Sequence, residues 1–473
     1  MIFVARLALL SALLTAGPRL GVAQGAPIAQ NYAGLTFHSP PKPLAPGAVT
    51  ADWPHFLGPR LNATTAETKL LGQWPSSGPA KVWEMETGEG YACPVFSAGK
   101  LVHFHRVDGQ ETVDCLDPET GRRFWRFAYP VEYQDRYGFN PGPRSSAGID
   151  GERIYIVGVT AVMHCLDLNT GRVIWRRDLM ADYKIPQYFF GYGPTPVVWE
   201  DRLIVNVGGK AREGSTGTCV AAFDKITGKT LWEVEDPWGA SYASPIVTKL
   251  RGRDVALVIA AGESRPSVGG LITLDPKTGQ VFDRFPWRAK VYESVIAGTP
   301  IALNERHVYI SECYEKGGAL LEFDEHLKSR VVWTQRGFGL HWMMPLQIDG
   351  HLYGFAGRNP PDTEFKCLQI ETGKIIWSDD TRFDENGRTQ SFFRASLLQA
   401  DGRFFCLGED GLLGEFQLTP KGATLRQRVR LFQATSAWTL PALYRGLLYV
   451  AQNTRDVRSD KAPRIICYDF RGS

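Results

Sequence analysis

The chain has 473 residues, of which 53 are basic and 50 acidic, and hydrophobic residues make up 44 % of it. This near balance, without a run of Lys and Arg, gives no support for a nucleic-acid partner or for binding to an anionic membrane surface. The 49 glycines, 30 prolines and 12 % aromatic residues are typical of many short strands joined by turns.

Residues 1–23 have the pattern of a secretory signal peptide. Arg6 supplies positive charge, residues 7–16 are a short apolar run, and residues 21–23 are Gly-Val-Ala, which suits cleavage. Such a run is too short to span a bilayer, and no cysteine precedes Cys93 to carry a lipid. We therefore expect an exported protein, periplasmic or extracellular, without a transmembrane or lipid anchor. Residues 24–69 are interpreted as an N-terminal leader and residues 70–473 as the folded domain.

A motif of the form D-x-x-T-G-x-x-x-W recurs along the chain. Three copies are complete, a fourth has Asp283 in the Trp place, a fifth has Gln369 in the Asp place, and a degenerate copy begins at Asp324. The motif residues are Asp117, Gly121 and Trp125; Asp167, Gly171 and Trp175; Asp224, Gly228 and Trp232; Asp275 and Gly279; Trp333; and Gly373 and Trp377. Successive copies lie from 42 residues (Trp83 to Trp125) to 57 residues (Trp175 to Trp232) apart.

Each motif predicts a tight hairpin followed by an outer strand. The Asp side chain accepts hydrogen bonds from turn amides, and the Gly supplies positive φ. The Trp then packs between neighbouring units and donates its N–H. Apolar runs upstream of each motif, often preceded by Pro, bring the count to four strands per unit. Two further units lacking a clear motif follow, at residues 392–407 and 438–450.

Eight such units predict an all-β protein, an eight-bladed β-propeller of four-stranded antiparallel blades. The last unit supplies three strands, and the isolated strand ending at Trp83 supplies the fourth, which closes the ring and removes free sheet edges. Seven blades is the alternative, if one degenerate unit is a loop. We expect a monomer.

Four of the eight cysteines, Cys115, Cys165, Cys367 and Cys467, recur at one place, within a strand just before the motif. This periodicity indicates small buried hydrophobic residues rather than a disulfide framework. The sequence leaves open one or two bridges.

The motif, its spacing and its copy number resemble the pyrroloquinoline-quinone (PQQ) repeat family, which includes the quinoprotein alcohol dehydrogenases and the BamB-like propellers of outer-membrane assembly. Residues 52–59, Asp-Trp-Pro-His-Phe-Leu-Gly-Pro, are similar to the leader of exported bacterial propellers of this type. The resemblance covers residues 52–473 and implies the fold.

The resemblance does not decide the cofactor. Quinoprotein dehydrogenases hold PQQ on the channel axis beside a calcium ion and a disulfide between adjacent cysteines, whereas this chain has neither a Cys-Cys pair nor a C-x-x-C-H haem motif. The sequence therefore leaves the cofactor unknown: PQQ with calcium is one possibility, and no set of metal-ligand residues can be identified.

The residues three positions before the strand prolines are expected at the channel mouth, where each innermost strand begins. With their immediate neighbours, the candidate ligand-binding residues are Tyr91, Arg144, Tyr192, Tyr242, His341, Trp342, Arg394 and Trp438. Aromatic rings and guanidinium groups on one axis suit a flat anionic ligand. The competing interpretation, which we favour slightly, is that these large side chains plug a wide channel.

Weaker candidates lie elsewhere. His103 and His105 alternate on one strand and could share a face towards a metal, although no third ligand is evident. The loop at residues 262–265 places charge after a buried strand, as solvated loops commonly do, and no catalytic set is recognisable.

The leading hypothesis is therefore an extracytoplasmic binding or scaffold propeller. It would present its channel mouth and rim loops to a protein, peptide, glycan or small ligand. The alternative is a divergent PQQ-dependent oxidoreductase of the alcohol or sugar dehydrogenase type. A third interpretation, a structural module of a larger assembly, predicts an apolar patch on one face.

Overall fold

The computed structural model describes residues 32–209, 217–263, 267–291, 293–360, 362–385 and 388–472. The predicted signal peptide and the start of the leader lie outside these ranges. Within them the chain forms 35 strands and one five-residue helix, α1 (Leu179–Tyr183). No helix in the described ranges is long and apolar enough to cross a membrane.

Two strands precede the repeats: β1 (Leu35–Phe37) and β2 (Lys81–Glu86). Blade 1 contains β3 (Val95–Ser97), β4 (Lys100–Val107), β5 (Gln110–Leu116) and β6 (Arg123–Pro130). Blade 2 contains β7 (Gly148–Asp150), β8 (Arg153–Val157), β9 (Val162–Asp167) and β10 (Val173–Asp178). Blade 3 contains β11 (Val197–Trp199), β12 (Arg202–Asn206), β13 (Gly217–Asp224) and β14 (Thr230–Asp236). Blade 4 contains β15 (Ile246–Leu250), β16 (Arg253–Ala260), β17 (Gly270–Leu274) and β18 (Val281–Pro286).

The second half of the ring repeats this order. Blade 5 contains β19 (Ile301–Ala302), β20 (His307–Glu312), β21 (Gly317–Phe323) and β22 (Ser329–Gln335). Blade 6 contains β23 (Leu346–Ile348), β24 (His351–Ala356), β25 (Glu364–Gln369) and β26 (Ile375–Asp379), and a hairpin of β27 (Phe383–Glu385) and β28 (Arg388–Gln390) follows it. Blade 7 contains β29 (Ser396–Ala400), β30 (Arg403–Leu407), β31 (Leu412–Thr419) and β32 (Gly422–Arg430). Blade 8 contains β33 (Ala442–Tyr444), β34 (Leu447–Gln452) and β35 (Arg464–Asp469).

Eight blades confirm the predicted propeller. All neighbouring strands within a blade are antiparallel, with the first strand innermost. The last blade closes as predicted, because β2 pairs with β35 through Trp83 opposite Cys467. Strand β1, from the segment interpreted as leader, adds a fifth strand to this blade by pairing Phe37 with Trp83.

The repeated Trp joins adjacent blades as predicted. At the seam between blades 1 and 2, Trp125 donates its indole N–H to Leu168 O at 3.0 Å, and the other motif tryptophans make the equivalent bond. Gly171, at φ +72°, lies against the same ring: a Cβ there would come within 2.4 Å of Trp125 Cε3. The Trp and the Gly of the next motif thus form one contact, and Gly is required both for its φ and for its lack of a side chain.

The seam between blades 4 and 5 uses different chemistry. Asp283, in the Trp place, accepts hydrogen bonds from the backbone N–H of Ser329 at 2.9 Å and from its hydroxyl at 2.5 Å. Leu327, at φ +59° and fully buried, is the left-handed turn residue where the other copies have Gly. With no Trp ring against the turn, there is room for the Leu side chain.

The predicted buried role of the cysteines is also observed. Cys115, Cys165, Cys367 and Cys467 each lie in the third strand of a blade and are fully buried. All eight cysteines are free thiols, so neither of the bridges that the sequence left open forms.

The leader crosses one end of the channel. Trp53 pairs with Phe96 of the innermost strand β3, Pro54 O accepts from Ile149 of β7, and Thr64 pairs with Gln399 of β29. Each innermost strand runs from the mouth towards this segment, so the segment lies at the far end. Residues 53–65 therefore form a floor segment under the channel.

Candidate functional site

The loops entering the innermost strands converge on a cavity of about 450 Å³ at the channel mouth. Seven of the eight predicted mouth residues line it: Tyr91, Arg144, Tyr242, His341, Trp342, Arg394 and Trp438. Because open volume remains between them, these side chains line the mouth and do not plug it. A volume of this size lies in the range of small-molecule sites, about 300–1,000 Å³.

Tyr192 does not reach the cavity. It is buried in the packing between blades 2 and 3, where its hydroxyl donates to Asn206 O at 3.0 Å. The next residue, Gly193, lines the cavity instead, and a Cβ there would come within 2.8 Å of Tyr242. The prediction placed Tyr192 near the axis as a neighbour of Gly193, but successive side chains of an extended segment point in opposite directions.

The lining forms two tiers, because residues two apart in an extended segment face the same way. The upper tier, one residue per blade from blade 1 to blade 8, is Tyr91, Arg144, Gly193, Tyr242, Ala297, Trp342, Arg394 and Trp438. The lower tier, two residues further along in each blade, is Cys93, Ser146, Thr195, Ser244, Thr299, Met344, Ser396 and Leu440. Phe56 and Leu57 of the floor segment lie beneath both tiers.

Three rings form an aromatic wall on one side of the upper tier. The ring centroids of Trp342 and Trp438 are 4.8 Å apart, and Tyr91 stacks on Trp438 at 5.2 Å. The guanidinium of Arg394 lies 4.9 Å from the Trp342 ring and 4.8 Å from the Trp438 ring. This geometry holds the two tryptophans in fixed positions beside a cation.

Both guanidinium groups of the upper tier already have carboxylate partners. Arg394 bonds Glu409 with Nε–Oε2 at 2.9 Å, and the indole N–H of Trp438 donates to the same oxygen at 2.8 Å. Arg144 bonds Asp135 at 2.7 Å. These pairs neutralise the charge that a flat anionic ligand would need, so the predicted guanidinium–anion pairing is not supported.

Two further polar groups flank the wall. His341 lies 4.3 Å from Trp342 between ring centroids, and burial lowers its pKa to about 3, so the imidazole is neutral at ordinary pH. Tyr242 donates to Glu263 at 2.8 Å, and the backbone N–H of Phe189 donates to the same Glu263 oxygen at 2.6 Å. Burial raises the pKa of Glu263. Glu263, from the loop interpreted as merely solvated, thus positions a site residue.

Four aromatic side chains at the rim of the cavity were not predicted from the sequence: Tyr137, Phe139, Phe189 and Phe190. They lie on the connections from β6 to β7 and from α1 to β11. Tyr137 is 55 % exposed and Phe139 40 % exposed, and Phe139 packs 5.8 Å from Trp438. The signal available in the sequence was the clustering of aromatic residues in these two connections, which are longer than most.

The sequence analysis also did not predict the lower tier, although its residues form a regular chain of hydrogen bonds. The backbone N–H of Cys93 donates to the Ser146 hydroxyl at 2.9 Å. In the same way the N–H of Ser146 donates to Thr195 Oγ1 and that of Thr195 to Ser244 Oγ, both at 2.9 Å. We call Ser146, Thr195 and Ser244 the hydroxyl arc. For Thr195 and Ser244 the sequence signal was a Ser or Thr immediately before the strand proline, whereas Ser146 is followed by Ala147.

The histidine pair in blade 1 is a structural group. His105 accepts from the backbone N–H of Gly88 at Nδ1 and bonds Asp114 through Nε2, both at 2.9 Å. Arg126 holds the same Asp114 carboxylate. Both ring nitrogens of His105 are therefore engaged, and across the described residues no group of three His, Cys, Asp or Glu side chains could hold a metal ion.

The donor set of the cavity does not fit PQQ with calcium. Asp135, Glu263 and Glu409 are each engaged by side chains or amides of the protein, and Glu293 is an exposed rim residue. Cys93 is the cysteine that lines the cavity, and its neighbours in the chain are Ala92 and Pro94. Carboxylate and amide oxygens for a calcium ion do not converge here.

The family model described as outer membrane protein assembly factor BamB matches residues 109–379. The comparison with curated proteins found no match. Solved structures with the same fold include a quinohemoprotein alcohol dehydrogenase from Comamonas testosteroni, at 14 % identity and a TM-score of 0.64, covering 89 % of this chain and 81 % of that one. BamB from Moraxella catarrhalis has 15 % identity and a TM-score of 0.53, covering 83 % and 98 %. A europium-containing methanol dehydrogenase has 11 % identity and a TM-score of 0.61, covering 88 % and 98 %.

Proposed function

The chain belongs to the family described as outer membrane protein assembly factor BamB, and from this premise we propose that it is an extracytoplasmic binding propeller. Its channel mouth and rim loops present a blind aromatic cavity to a ligand. The signal-peptide pattern of residues 1–23 supports the location.

The blind cavity is the observation that carries this proposal. It is open at the mouth, closed below by Phe56 and Leu57, and lined by the aromatic wall. Closure of the ring holds the wall rigid, so a ligand is not required to order it, and little conformational entropy is lost on binding. Exposed Tyr137 and Phe139 extend the apolar surface outwards, where a larger partner would make contact.

A divergent PQQ-dependent oxidoreductase is the less favoured alternative. A quinoprotein needs a calcium-binding set of oxygen ligands beside its cofactor, and the carboxylates near this cavity are engaged by Arg144, Arg394 and Tyr242. A scaffold role without ligand binding is less favoured than a binding role. If the side chains at the channel mouth served only to fill the channel, we would expect them to leave no cavity.

The test is a titration of the mature protein with three classes of probe: neutral oligosaccharides, terminally blocked aromatic peptides, and PQQ with calcium. Trp342 and Trp438 line the cavity, so we expect one class to change tryptophan emission saturably and to raise the melting temperature. Trp342→Ala should abolish both effects. Phe37→Ala, which removes an exposed ring on β1, is the matched control and should leave them intact.

If no probe class binds, or if binding persists in the Trp342→Ala variant, the mouth is not the binding site and the proposal fails. Binding of PQQ with calcium alone, lost on Trp342→Ala, would instead favour the oxidoreductase.

A further inference from the structure

The hydroxyl arc has hydrogen-bonding capacity that the protein does not use. Each of Ser146, Thr195 and Ser244 accepts one backbone N–H at 2.9 Å. A hydroxyl group carries one hydrogen to donate and two lone pairs. Within the described part of the chain Thr195 and Ser244 donate no hydrogen bond, so each retains one O–H and one lone pair, whereas the Ser146 hydroxyl also meets the Cys93 thiol. All three are at least 96 % buried yet line the cavity.

The middle residue of the arc, Thr195, is accessible from the mouth because the upper tier is small above it. Gly193 and Ala297 stand above Thr195 and Thr299, between the bulkier Arg144, Tyr242 and Trp342. The opposite side of the cavity is mostly apolar, since the aromatic wall stands above Met344, Leu440 and Cys93, with Arg394 and Ser396 of blade 7 between them. The cavity therefore has one aromatic side and one hydroxyl side at different depths.

The lining is close to electrically neutral. Arg394 and Arg144 are paired with carboxylates, and the exposed rim residues Arg358 and Glu293 carry opposite charges. A carboxylate or ammonium group at the depth of the arc would lose its hydration and meet only uncharged groups, which disfavours binding. The occupant that fits the arc is uncharged there.

We propose that this cavity binds the uncharged end of a carbohydrate chain, with a sugar ring against Trp342 and Trp438 and its hydroxyl groups on the hydroxyl arc. A sugar ring has an apolar C–H face, which suits the aromatic wall. Its hydroxyls both donate and accept, which matches the one O–H and one lone pair free on Thr195 and on Ser244. A peptide would need two separate groups at each arc hydroxyl, a carbonyl to accept and an amide to donate, whereas one sugar hydroxyl serves in either role. The inference rests on the proposed binding function and specifies the ligand class.

The test is calorimetric titration of the mature protein with neutral trisaccharides, α- and β-linked hexoses and N-acetylhexosamines. A trigalacturonate and a terminally blocked Gly-Trp-Gly peptide are the comparison ligands. We expect saturable binding of at least one neutral trisaccharide, and no binding of the trigalacturonate. Thr195→Val keeps the shape but removes the hydroxyl, and should weaken binding roughly three- to tenfold. Thr195→Ser restores the hydroxyl and should bind as the wild type does.

Thr195→Val also removes the acceptor for the Ser146 N–H, so its melting temperature is measured alongside. Ala297→Met is a second variant, which places a longer side chain beside the arc, above Thr299, without deleting a hydrogen bond, and it should weaken saccharide binding in a folded protein. Saccharide affinity unchanged in both variants overturns the proposal. If the protein binds the peptide and no saccharide, and Trp342→Ala abolishes peptide binding, the carbohydrate proposal is overturned but the binding function stands. If neither ligand binds, both proposals fail.

Discussion

The guanidinium of Arg394 lies 4.8 Å above the ring of Trp438, and both side chains bond the same Glu409 oxygen. One carboxylate thus orients a cation and an indole from blades 7 and 8. Glu409 is 7 % exposed, so its charge is held where water contributes little. The three side chains act as one unit that fixes the aromatic wall.

Replacing Glu409 with Gln should lower the free energy of unfolding by about 1–3 kcal/mol, because it leaves the mostly buried Arg394 cation without its counter-charge. Asp254→Asn removes the carboxylate of an exposed pair with Lys249 and should cost less than about 1 kcal/mol. Urea denaturation of both variants measures the difference. Equal costs would mean that the mouth pair is no more important than a surface pair.

Stability should fall on acidification through buried histidines, of which His164 is the clearest case. It is 3 % exposed against Tyr129, and burial lowers its pKa from 6.5 to about 3. The unfolded chain therefore binds a proton below pH 6.5 that the folded chain does not, so the contribution is complete above that pH and lost as the pH falls towards 3.

His164→Phe should accordingly reduce the loss of unfolding free energy between pH 7.5 and pH 5 by about 2 kcal/mol relative to the wild type. Denaturant melts at both pH values measure this. The exposed His326→Gln variant is the control for replacing a histidine outside the core. Identical pH profiles for His164→Phe and the wild type would show that His164 is protonated in the folded protein.

The repeat made the ring predictable, because each motif tryptophan bonds the turn of the next motif, so a recurring motif implies a recurring seam. The upper tier followed from its offset to the strand proline in six blades. In blades 2 and 7, Ala147 and Leu397 stand in place of that proline, so Arg394 was placed by the alignment of the repeats and Arg144 only as a neighbour of the aligned position. In the sequence, the motif copy with Asp283 and Leu327 looks degenerate. In the structure, Asp283 bonds Ser329 in place of a Trp contact and the buried Leu327 side chain occupies the space that the Trp ring would fill, which only the packing shows.

The floor segment and the aromatic residues of the rim could not be predicted from the sequence, for a different reason. Phe56 lies under the cavity because its segment pairs with strands of blades 1, 2 and 7, and Phe139 meets Trp438 because the ring closes. These contacts join residues far apart in the chain, and no local periodicity encodes them. Thr195 and Ser244 of the hydroxyl arc, in contrast, lie one residue before strand prolines, so the argument that found the upper tier could also have found them.

The thiols should be unreactive in the folded protein. All eight cysteines are unbridged, seven are buried, and burial raises the pKa of half-buried Cys313 to about 12. Little thiolate is therefore available at pH 8. We expect Ellman's reagent to label no more than one thiol in the native state and eight in guanidinium chloride, with dithiothreitol leaving the melting temperature unchanged. Six or fewer thiols in denaturant without reductant would reveal a bridge.

Glycine is needed at the blade seams for two separable reasons, its positive φ and its lack of a side chain against the Trp ring. Gly171 and Gly402 have nearly the same φ, +72° and +66°, but a Cβ at Gly171 would meet Trp125 at 2.4 Å, while nothing lies within 4 Å at Gly402. Gly402→Ala should cost only the left-handed conformation, about 1–2 kcal/mol. Gly171→Ala adds overpacking of the seam, about 1–3 kcal/mol more, because the Trp125 indole is held by Leu168 O. Thermal and urea unfolding of the two variants compares them directly, and equal losses would show that the seam yields to the extra methyl without strain.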